Sequence, residues 1–336
     1  MTAQKIAIFG AGSIGAYVGG ALIDAGADVV LIARARTCER IARHGLGISD
    51  MDGRRIILPA ERVACTEDPA ALAAAGLVLV TVKSADTAAA AEALARHAAP
   101  DALVISLQNG IGNAETLRRA IQGRTVLAGM VPFNVVQTQD GRFHRGTEGS
   151  VMVEASPALA PWLPAFQAAG LPLVQRTDFM AVQWGKLLLN LNNAVNALSG
   201  VPLKKQLSQR DYRRCLALLI EEALRALNAA GITPAQVAKV PPARLPRLLR
   251  LPDWLYRRVA SGSLRIDPEA RSSMWEDLQA GRRTEIDYLN GAVVKLAESV
   301  GLEAPANKRI VALVHAAEEG RVGAMSGKEL LAALKG

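Results

Sequence analysis

The sequence predicts an α/β domain with a mainly parallel sheet, followed by an all-helical domain. In the first half, short β-type runs alternate with helical stretches, which is typical of βαβ units. After Thr177 and Asp178 the pattern changes to long helical periodicity with almost no strand signal, and Asp178 is a suitable helix N-cap. We therefore divide the chain of 336 residues into domains at 1–177 and 178–336.

The first domain contains the strands and helices that such units need. Buried strands are predicted at 5–9, 28–33, 77–83 and 102–107. Helices are predicted between them, at roughly 14–25, 87–98 and 114–121. Later apolar runs at 125–131, 150–154 and 173–176 predict further strands, antiparallel in part.

Composition excludes several classes of protein. Half of the residues are hydrophobic and only 4% are aromatic, which favours an α/β or α-rich enzyme over a β-sandwich. The widely spaced Cys38, Cys65 and Cys215 indicate neither a disulfide framework nor a zinc site. The first residues lack the layout of a signal peptide, and no apolar run approaches the roughly 20 residues of a membrane span. We expect a cytoplasmic protein without a membrane partner.

The net charge of +8 does not by itself predict a nucleic-acid partner, because most cations are interspersed with apolar residues. An exception is the stretch 239–265. It is interpreted either as a solvated basic face or as a surface that steers an anionic ligand or partner. Its cations include Lys239, Arg244, Arg247, Arg250, Arg257, Arg258 and Arg265.

A glycine-rich turn follows the first predicted strand and opens a predicted helix, in the pattern G-x-G-x-x-G. The first glycine permits a tight turn, the second lets backbone approach a pyrophosphate, and the third lets the helix pack closely on the strand. The helix amino terminus then points at negative charge. The first domain is therefore predicted to be a Rossmann-like dinucleotide-binding domain. The predicted cofactor-binding residues of the turn are Gly10, Ala11, Gly12, Ser13, Ile14 and Gly15.

The end of the second strand distinguishes the two nicotinamide dinucleotides. An acidic side chain there would accept a hydrogen bond from the ribose hydroxyl, whereas arginine tolerates a 2′-phosphate. This chain has Arg34, with Arg36 as a second cation, and no carboxylate in the expected position. The pattern favours NADP(H); the alternative is a surface arginine in a loop.

Two further strand ends carry polar residues, at Lys83 and at Asn109. Open α/β sheets bind their ligands just beyond the carboxyl ends of the strands. Each of the two signals is weak alone, since a lysine or an Asn-Gly pair at a strand end is ordinary turn chemistry.

One helix of the second domain carries a polar stripe formed by Lys186, Asn190 and Asn193. A lone lysine is ordinarily a solvated surface residue, but two amides in register indicate a lined groove, because buried amides need partners. A desolvated lysine has a lowered pKa, which suits it to donate a proton. Asn192 and Asn196 lie off the stripe and are interpreted as capping or solvent contacts. The predicted apolar face is Trp184, Leu187, Leu188, Leu191, Val195 and Leu198.

Taken together, these motifs resemble the ketopantoate reductase (2-dehydropantoate 2-reductase) family over essentially the whole chain. The order and spacing of the motifs are what make the resemblance specific. The motifs are the glycine turn, Thr81-Val82-Lys83, Gln108-Asn109-Gly110-Ile111-Gly112, Trp184-Gly185-Lys186-Leu187 with Asn190, Ser272-Ser273-Met274, and Arg283-Thr284-Glu285-Ile286-Asp287-Tyr288.

The resemblance implies reduction of the ketone of 2-dehydropantoate to (R)-pantoate with NADPH, on the route to pantothenate and coenzyme A. It implies that Lys186 donates a proton to the ketone oxygen and that Asn109 lies between cofactor and substrate. A cationic donor would stabilise the developing alkoxide. The other implied contacts are Lys83 and Glu285 to the cofactor, and Asn190 and Ser273 to the substrate.

Three positions depart from the family pattern. Ala194 and Leu203 stand where members commonly have asparagine, and Phe133 stands where they often have small residues or threonine. Asn193, one place before Ala194, is the remaining substrate-binding candidate. A pocket with fewer amides favours a less polar or bulkier substrate. Three functions therefore stay open: ketopantoate reduction, reduction of a different 2-keto acid, and a non-catalytic NADP-binding sensor or scaffold.

The spacing of Ser273 and Glu285 restricts their roles. Twelve residues span about 18 Å of straight helix, so both cannot touch one small acid from such a helix. Either the helix begins after Ser273 or the two residues contact different moieties. For Glu285, an ion pair with Arg282 is the alternative interpretation.

The sequence leaves the oligomeric state open. Helices are predicted near 208–229 and 287–297. Their apolar faces could pack within the monomer or against a partner subunit in a homodimer.

Overall fold

The chain forms two compact units, and the computed structural model describes residues 5–138, 140–260 and 270–336. One unit is Met1–Phe179 and the other is Met180–Gly336. This division falls two residues beyond the boundary expected after Thr177.

The first unit is an α/β domain with two sheets. Its strands are β1 (Lys5–Phe9), β2 (Val29–Ile32), β3 (Leu46–Asp50), β4 (Arg55–Leu58), β5 (Ala64–Thr66), β6 (Ala75–Val80), β7 (Leu103–Ser106), β8 (Val126–Met130), β9 (Val135–Gln137), β10 (Phe143–Arg145), β11 (Met152–Glu154) and β12 (Val174–Arg176). Its α-helices are α1 (Ser13–Asp24), α2 (Ala35–His44), α3 (Thr87–His97), α4 (Asn113–Ala120) and α5 (Leu163–Ala168).

The larger sheet has eight strands in the order β12-β11-β8-β7-β6-β1-β2-β5. Pairing is parallel from β5 through β8, and β11 pairs antiparallel with β8. Along β1, Ile6 and Ile8 join one buried cluster while Ala7 joins another, so helices cover both faces. The predicted strands and the Rossmann-like fold class are confirmed.

A smaller sheet was not predicted. It has four strands in the order β4-β3-β10-β9, and β3 pairs in parallel with β10 from far along the chain. Its strands are short, and Arg55 and Ile57 on β4 are exposed, whereas Leu46, Ile48 and Ser49 on β3 are buried. Such strands lack both the continuous apolar run of a buried strand and a clean alternation, so periodicity does not reveal them.

The expectation that the cysteines form no disulfide is wrong for one pair. Cys38 on α2 and Cys65 on β5 are bonded, with their Cα atoms 5.4 Å apart. Parallel pairing of β2 with β5 brings Cys65 beside Leu31, and α2 follows β2 directly, so residues distant in sequence meet. Cys215 is a buried thiol, and burial raises its pKa to about 12, which makes it a poor nucleophile.

The second unit is helical, and its described residues contain no strand. Its helices are α6 (Phe179–Asn190), α7 (Asn192–Ser199), α8 (Leu203–Leu207), α9 (Arg210–Ala229), α10 (Leu245–Leu249), α11 (Asp253–Ala260), α12 (Ser273–Gln279), α13 (Asn290–Ser299), α14 (Pro305–Glu318) and α15 (Gly327–Lys335). This confirms the all-helical prediction. Across the described ranges of both units, every helix is too short or too polar to cross a membrane.

The long helix α9 is the centre of the second unit. It packs against α10, α13 and α15, and side chains such as Leu219, Ile220 and Ala223 are buried. The helices predicted near 208–229 and 287–297 therefore bury their apolar faces within the chain. A partner subunit is not needed to cover these faces.

A buried arginine ties the basic stretch 239–265 to α9. Arg213 is fully buried and donates to the backbone oxygens of Leu249 and Leu251 at 3.1 and 2.7 Å. It also pairs with Asp253, and its guanidinium stacks over Tyr256. The described cations of the stretch are exposed, as a solvated basic face requires, whereas Arg265 lies outside the described residues. The exposed cations are Lys239, Arg244, Arg247, Arg250, Arg257 and Arg258.

Candidate active site

The glycine turn joins β1 to α1 as the sequence predicts. Gly10 has a φ of +94°, and Gly12 occupies the N-cap position of α1 without a side-chain cap. The N–H groups of Gly10 and Ala11 both donate to the Ile32 oxygen, at 2.9 and 3.0 Å. The unpaired N–H groups of the first turn of α1 are therefore held at the carboxyl end of β1, where backbone donors suit a phosphate.

The third glycine lets α1 approach the sheet. A Cβ on Gly15 would lie 2.4 Å from the Thr81 hydroxyl oxygen and 2.9 Å from Ile8. The Thr81 hydroxyl in turn donates to the Gly10 oxygen at 2.9 Å. The threonine of the Thr81-Val82-Lys83 motif thus fixes the glycine turn, a role that its sequence position did not reveal.

A buried polar network joins the ends of β6 and β7. Ser84, next to Lys83, donates through its hydroxyl to the Asn109 oxygen at 2.9 Å, and the Asn113 amide donates to the same oxygen at 2.7 Å. Thr87 donates to the Asn113 side chain at 2.9 Å. These bonds bring the chain segments of Lys83 and Asn109 together, so two weak sequence signals become one site.

Sequence reasoning missed the network residues Ser84, Thr87 and Asn113. Thr87 and Asn113 are the first residues of α3 and α4, and both are buried. A small polar residue in a first helical turn ordinarily indicates capping, which is why the pattern did not distinguish these residues.

The end of β2 carries charges of both signs. Arg34 precedes α2, its side chain is 84% exposed, and it lies 3.9 Å from the Asp86 carboxylate. The Glu67 carboxylate, from the chain after β5, accepts from the Ala35 N–H at 2.6 Å. The expectation of no carboxylate at this position holds for β2 itself, but pairing with β5 brings one in from elsewhere in the chain.

Lys186 lies on α6 and is partly buried. Burial lowers the pKa of its ammonium from 10.5 to about 8. The preceding residue, Gly185, allows a loop to approach α6: a Cβ there would lie 2.2 Å from the Ala235 oxygen. The Ala235 N–H donates to the Ala181 oxygen at 2.8 Å, which anchors that loop one turn before Lys186.

The three residues of the predicted polar stripe lie on the consecutive helices α6 and α7. Lys186, Asn190 and Asn193 are all partly exposed, while the opposite apolar face is buried. Between α6 and α7 the path continues through Leu191, which has helical backbone angles and donates to Leu187 at 3.0 Å.

Of the two interpretations of Asn192 and Asn196, capping and solvent contact, solvent contact is wrong because both residues are buried. Asn196 is fully buried, donates to the Val201 oxygen at 2.9 Å and accepts from the Ser272 N–H at 2.8 Å. Asn192 forms a reciprocal pair of hydrogen bonds with Gln206. Both amides therefore form hydrogen bonds inside the helical unit rather than at its surface.

Ser273 begins α12, close to the stripe. Its neighbour Ser272 is the N-cap and donates through its hydroxyl to the Asn193 oxygen at 3.1 Å. This bond joins the start of α12 to α7, and Ser273 itself is exposed. Ser273 and Asn193, two of the predicted substrate-side residues, are therefore held near each other within the helical unit.

The end of α12 shows that Ser273 and Glu285 do not lie on one helix. The helix stops at Gln279, and Glu285 lies beyond a turn, at the start of a 3-10 helix. The two residues therefore do not share a straight helix. Arg282, the alternative partner of Glu285, forms an ion pair with the buried Asp277 at 3.0 Å.

The three departures from the family pattern lie in different environments. Ala194 is fully buried, and Phe133 is 2% exposed and packs edge-on against Tyr17. Leu203 is partly exposed at the start of α8. Of the three residues, Leu203 is therefore the one that is exposed enough to contact a ligand.

Comparison with known proteins identifies the family. Residues 6–158 match the family model of ketopantoate reductase PanE/ApbA, and residues 178–318 match the model of its C-terminal domain. The chain belongs to the ketopantoate reductase family. Members of this family are oxidoreductases that bind a nicotinamide dinucleotide and act on a keto acid.

Individual ketopantoate reductases resemble the chain over nearly its whole length. The 2-dehydropantoate 2-reductase of Halobacterium salinarum is 30% identical over 94% of this chain and 99% of its own. The crystal structure of a PanE/ApbA family ketopantoate reductase from Ralstonia eutropha is 32% identical, with a TM-score of 0.80 and coverage of 95% of this chain and 99% of that one.

A more distant structure shares the fold alone. D-mandelate dehydrogenase in a ternary complex with NADH and anilino(oxo)acetate has a TM-score of 0.78 at 20% identity, covering 95% of this chain and 99% of that one. At this identity the likeness supports the two-domain fold and says nothing about the substrate of this chain.

Proposed function

We propose that the protein reduces 2-dehydropantoate to (R)-pantoate with NADPH, with Lys186 as the proton donor. The observation that carries the proposal is the partly buried lysine with a pKa lowered to about 8, in register with Asn190 and Asn193. A donor whose pKa lies near the working pH is protonated and still able to release its proton.

The glycine turn fits a dinucleotide. The first turn of α1 offers backbone donors, and a Cβ built on Gly12 would meet no heavy atom closer than the Gly10 oxygen at 3.9 Å, so the space beside Gly12 is open. We assign Lys83 and Glu285 to cofactor contacts and Asn109 to a position between cofactor and substrate.

In the proposed reaction a hydride reaches the ketone carbon and a proton reaches the ketone oxygen. NADPH supplies the hydride when it is bound. Lys186 transfers a proton from its Nζ to the oxygen and stabilises the negative charge that develops there. Asn190, Asn193 and Ser273 bind and orient the 2-keto acid through hydrogen bonds. Because these side chains are neutral, they hold the substrate without competing with Lys186 to supply the proton.

The preference for NADPH is tested by Arg34→Asp, which we expect to weaken NADPH binding by about 10–100-fold and NADH binding far less. The substitution removes one of the two cations that Arg34 and Arg36 offer to the 2′-phosphate, and the new carboxylate would repel that group. Dissociation constants of both cofactors, measured by fluorescence titration, check the expectation.

Arg43→Asp is the matched control for Arg34→Asp. Arg43 lies in the last turn of α2, the helix that Arg34 precedes, and its side chain is 73% exposed. Its replacement by aspartate changes the net charge of the protein by the same amount. Its substitution is expected to leave both dissociation constants unchanged. Equal weakening of NADPH and NADH by Arg34→Asp would contradict the assignment. Tighter NADPH binding in Glu67→Gln would show that the carboxylate at the Ala35 N–H opposes the 2′-phosphate.

The substrate is tested by a panel of branched and aromatic 2-keto acids at saturating NADPH. We expect 2-dehydropantoate to have the highest kcat/KM. A specific observation favours the second candidate, reduction of a different 2-keto acid: Leu203 is partly exposed where the family commonly has an amide. Turnover of a bulkier acid with none of 2-dehydropantoate would establish that second function.

A cytoplasmic location, on the route to pantothenate and coenzyme A, is part of the proposal. The reducing cytoplasm keeps most cysteines as thiols, and the Cys38–Cys65 bond is the one observation that does not favour this location. A non-catalytic NADP-binding sensor would need no lysine with a lowered pKa, and this argues against it.

A further inference from the structure

A closed set of hydrogen bonds surrounds the segment that carries Glu285. The Glu318 carboxylate of α14 accepts from the Thr284 N–H at 2.7 Å, immediately before Glu285. His315, one turn earlier on α14, contacts Glu318 through Nδ1 at 3.1 Å. Its Nε2 contacts the Asp287 carboxylate at 3.0 Å, two residues after Glu285. One imidazole therefore links both sides of the segment to the same helix.

The segment between these links has little freedom. Ile286 is fully buried, and the Glu285 oxygen accepts from the Tyr288 N–H at 3.0 Å. Thr284 is 7% exposed. The backbone of Glu285 is therefore fixed by the core on one side and by α14 on the other, while its side chain remains partly exposed.

We propose that His315 is a positioning residue for Glu285: its imidazole, donating to Asp287 and Glu318 together, holds the segment 284–287 in the conformation that binds NADPH. This rests on the proposed function, in which Glu285 contacts the cofactor. His315 is not part of the motifs that carry the family resemblance, and it lies 27 residues beyond the last of them.

The bridge requires the protonated ring. An imidazolium donates through both nitrogens, whereas a neutral imidazole has one donor and one acceptor, and the acceptor would then face a carboxylate. A hydrogen bond to a charged group is stronger than one between neutral groups, so loss of one link is enough to loosen the segment.

The pKa of His315 favours the protonated ring. Burial lowers this pKa, but the hydrogen bonds that the ring donates to Glu318 and Asp287, together with the negative charges of these carboxylates, outweigh burial and raise the pKa above 6.5. Glu318 comes from the same helix and Asp287 from the 3-10 helix packed against it, and these carboxylates are the charged groups that act on the ring. A raised folded-state pKa means that the bridge is complete below pH 6.5 and is lost as the pH rises through the folded-state value.

The test is NADPH binding to His315→Gln at pH 6 and pH 9. Glutamine has one donor and one acceptor atom, as the neutral ring has. We expect binding about tenfold weaker than that of the parent at pH 6, and this difference should shrink toward pH 9 as the parent ring loses its proton. The 2′-phosphate of NADPH also titrates in this pH range. The dissociation constant of His315→Gln is therefore divided by that of the parent at the same pH, and the two ratios are compared.

Two further variants make the result decisive. Glu285→Gln should weaken NADPH binding at pH 6, and adding His315→Gln to it should weaken binding no further, because His315 acts through Glu285. His97→Gln, at the end of α3 away from the strand ends, is the matched control and should change neither dissociation constant.

The outcomes separate the two proposals. Unchanged NADPH binding in Glu285→Gln would remove the cofactor role of Glu285 and the role of His315 with it. Weaker binding in Glu285→Gln combined with normal binding in His315→Gln would overturn only the role of His315. A lower melting temperature in His315→Gln with normal NADPH binding would likewise show a purely structural contact, and additive losses in the double variant would exclude action through Glu285.

Discussion

Lys186→Met is expected to lower kcat by about 100- to 10,000-fold and at the same time to stabilise the fold at pH 7. The loss follows from the proposed transfer of a proton from Nζ to the ketone oxygen. Methionine has similar length and bulk but no proton to give. Steady-state kinetics with saturating NADPH measure the loss, and Lys295→Met, an exposed lysine on α13, is the control expected to retain full activity.

The gain in stability follows from the same burial. The pKa of Lys186 is lowered from 10.5 in a free chain to about 8 in the folded protein, so below pH 8 folding buries a disfavoured charge. That destabilisation is complete below pH 8 and fades as the pH rises toward 10.5. Lys186→Met should therefore raise the free energy of unfolding by about 1–3 kcal/mol at pH 7. At pH 10 the gain should be much smaller.

The pH profile of the parent protein follows from the same group. A proton donor with a pKa of about 8 should give a kcat that declines as the pH rises above 8. Lys186→Arg keeps the positive charge, but arginine does not release its proton at these pH values. It should therefore be nearly as inactive as Lys186→Met. Undiminished turnover in Lys186→Met would exclude the donor role and favour the NADP-binding sensor.

The sequence predicts well what depends on local pattern. The parallel strands of the larger sheet and the apolar face opposite Lys186 are long, strongly patterned runs, and the structure confirms them. The glycine turn is likewise local, because its conformation is set by a few successive residues. Each of these features can be recognised without knowing which distant segments meet.

The features that sequence reasoning missed depend on contacts between distant segments. The Cys38–Cys65 bond and the Glu67 carboxylate at Ala35 both arise from the pairing of β2 with β5. The bridge from His315 to Asp287 joins residues that are 28 apart in sequence. No periodicity encodes such meetings, since they follow from the order of strands and the packing of helices.

Gly185 is a residue within a motif whose structural reason is also a contact with a distant segment. The sequence places it beside Lys186, where a glycine inside a helix ordinarily weakens that helix. The structure explains it by the Ala235 oxygen, which would lie 2.2 Å from a Cβ. The reason for the glycine is therefore a loop about fifty residues away.

Gly10→Ala and Gly12→Ala are expected to fail in different ways, although they lie in one turn. Gly10 has a φ of +94°, and a Cβ there would lie 2.7 Å from the Val82 nitrogen and 2.8 Å from its Cα. Left-handed strain and overpacking against backbone together should cost about 2–5 kcal/mol of stability. A large decrease in melting temperature is the expected result.

Gly26→Ala separates the two contributions at Gly10. Gly26 has a φ of +87°, close to that of Gly10, but a Cβ there would meet nothing within 4 Å. It should therefore lose only the conformational part, about 1–2 kcal/mol. If Gly26→Ala and Gly10→Ala destabilised the fold equally, the close approach of Val82 would not be the reason for Gly10.

Gly12→Ala is expected to leave the fold intact and to weaken the cofactor. Its φ of −78° is open to alanine, and the nearest atom to a Cβ is the Gly10 oxygen at 3.9 Å. The methyl group would instead occupy space that we assign to the pyrophosphate, so NADPH should bind about 10–100-fold more weakly. Melting temperature and NADPH titration, measured on the same sample, distinguish the two glycines. Unchanged NADPH binding in a stable Gly12→Ala would mean that the cofactor does not approach the turn at this residue.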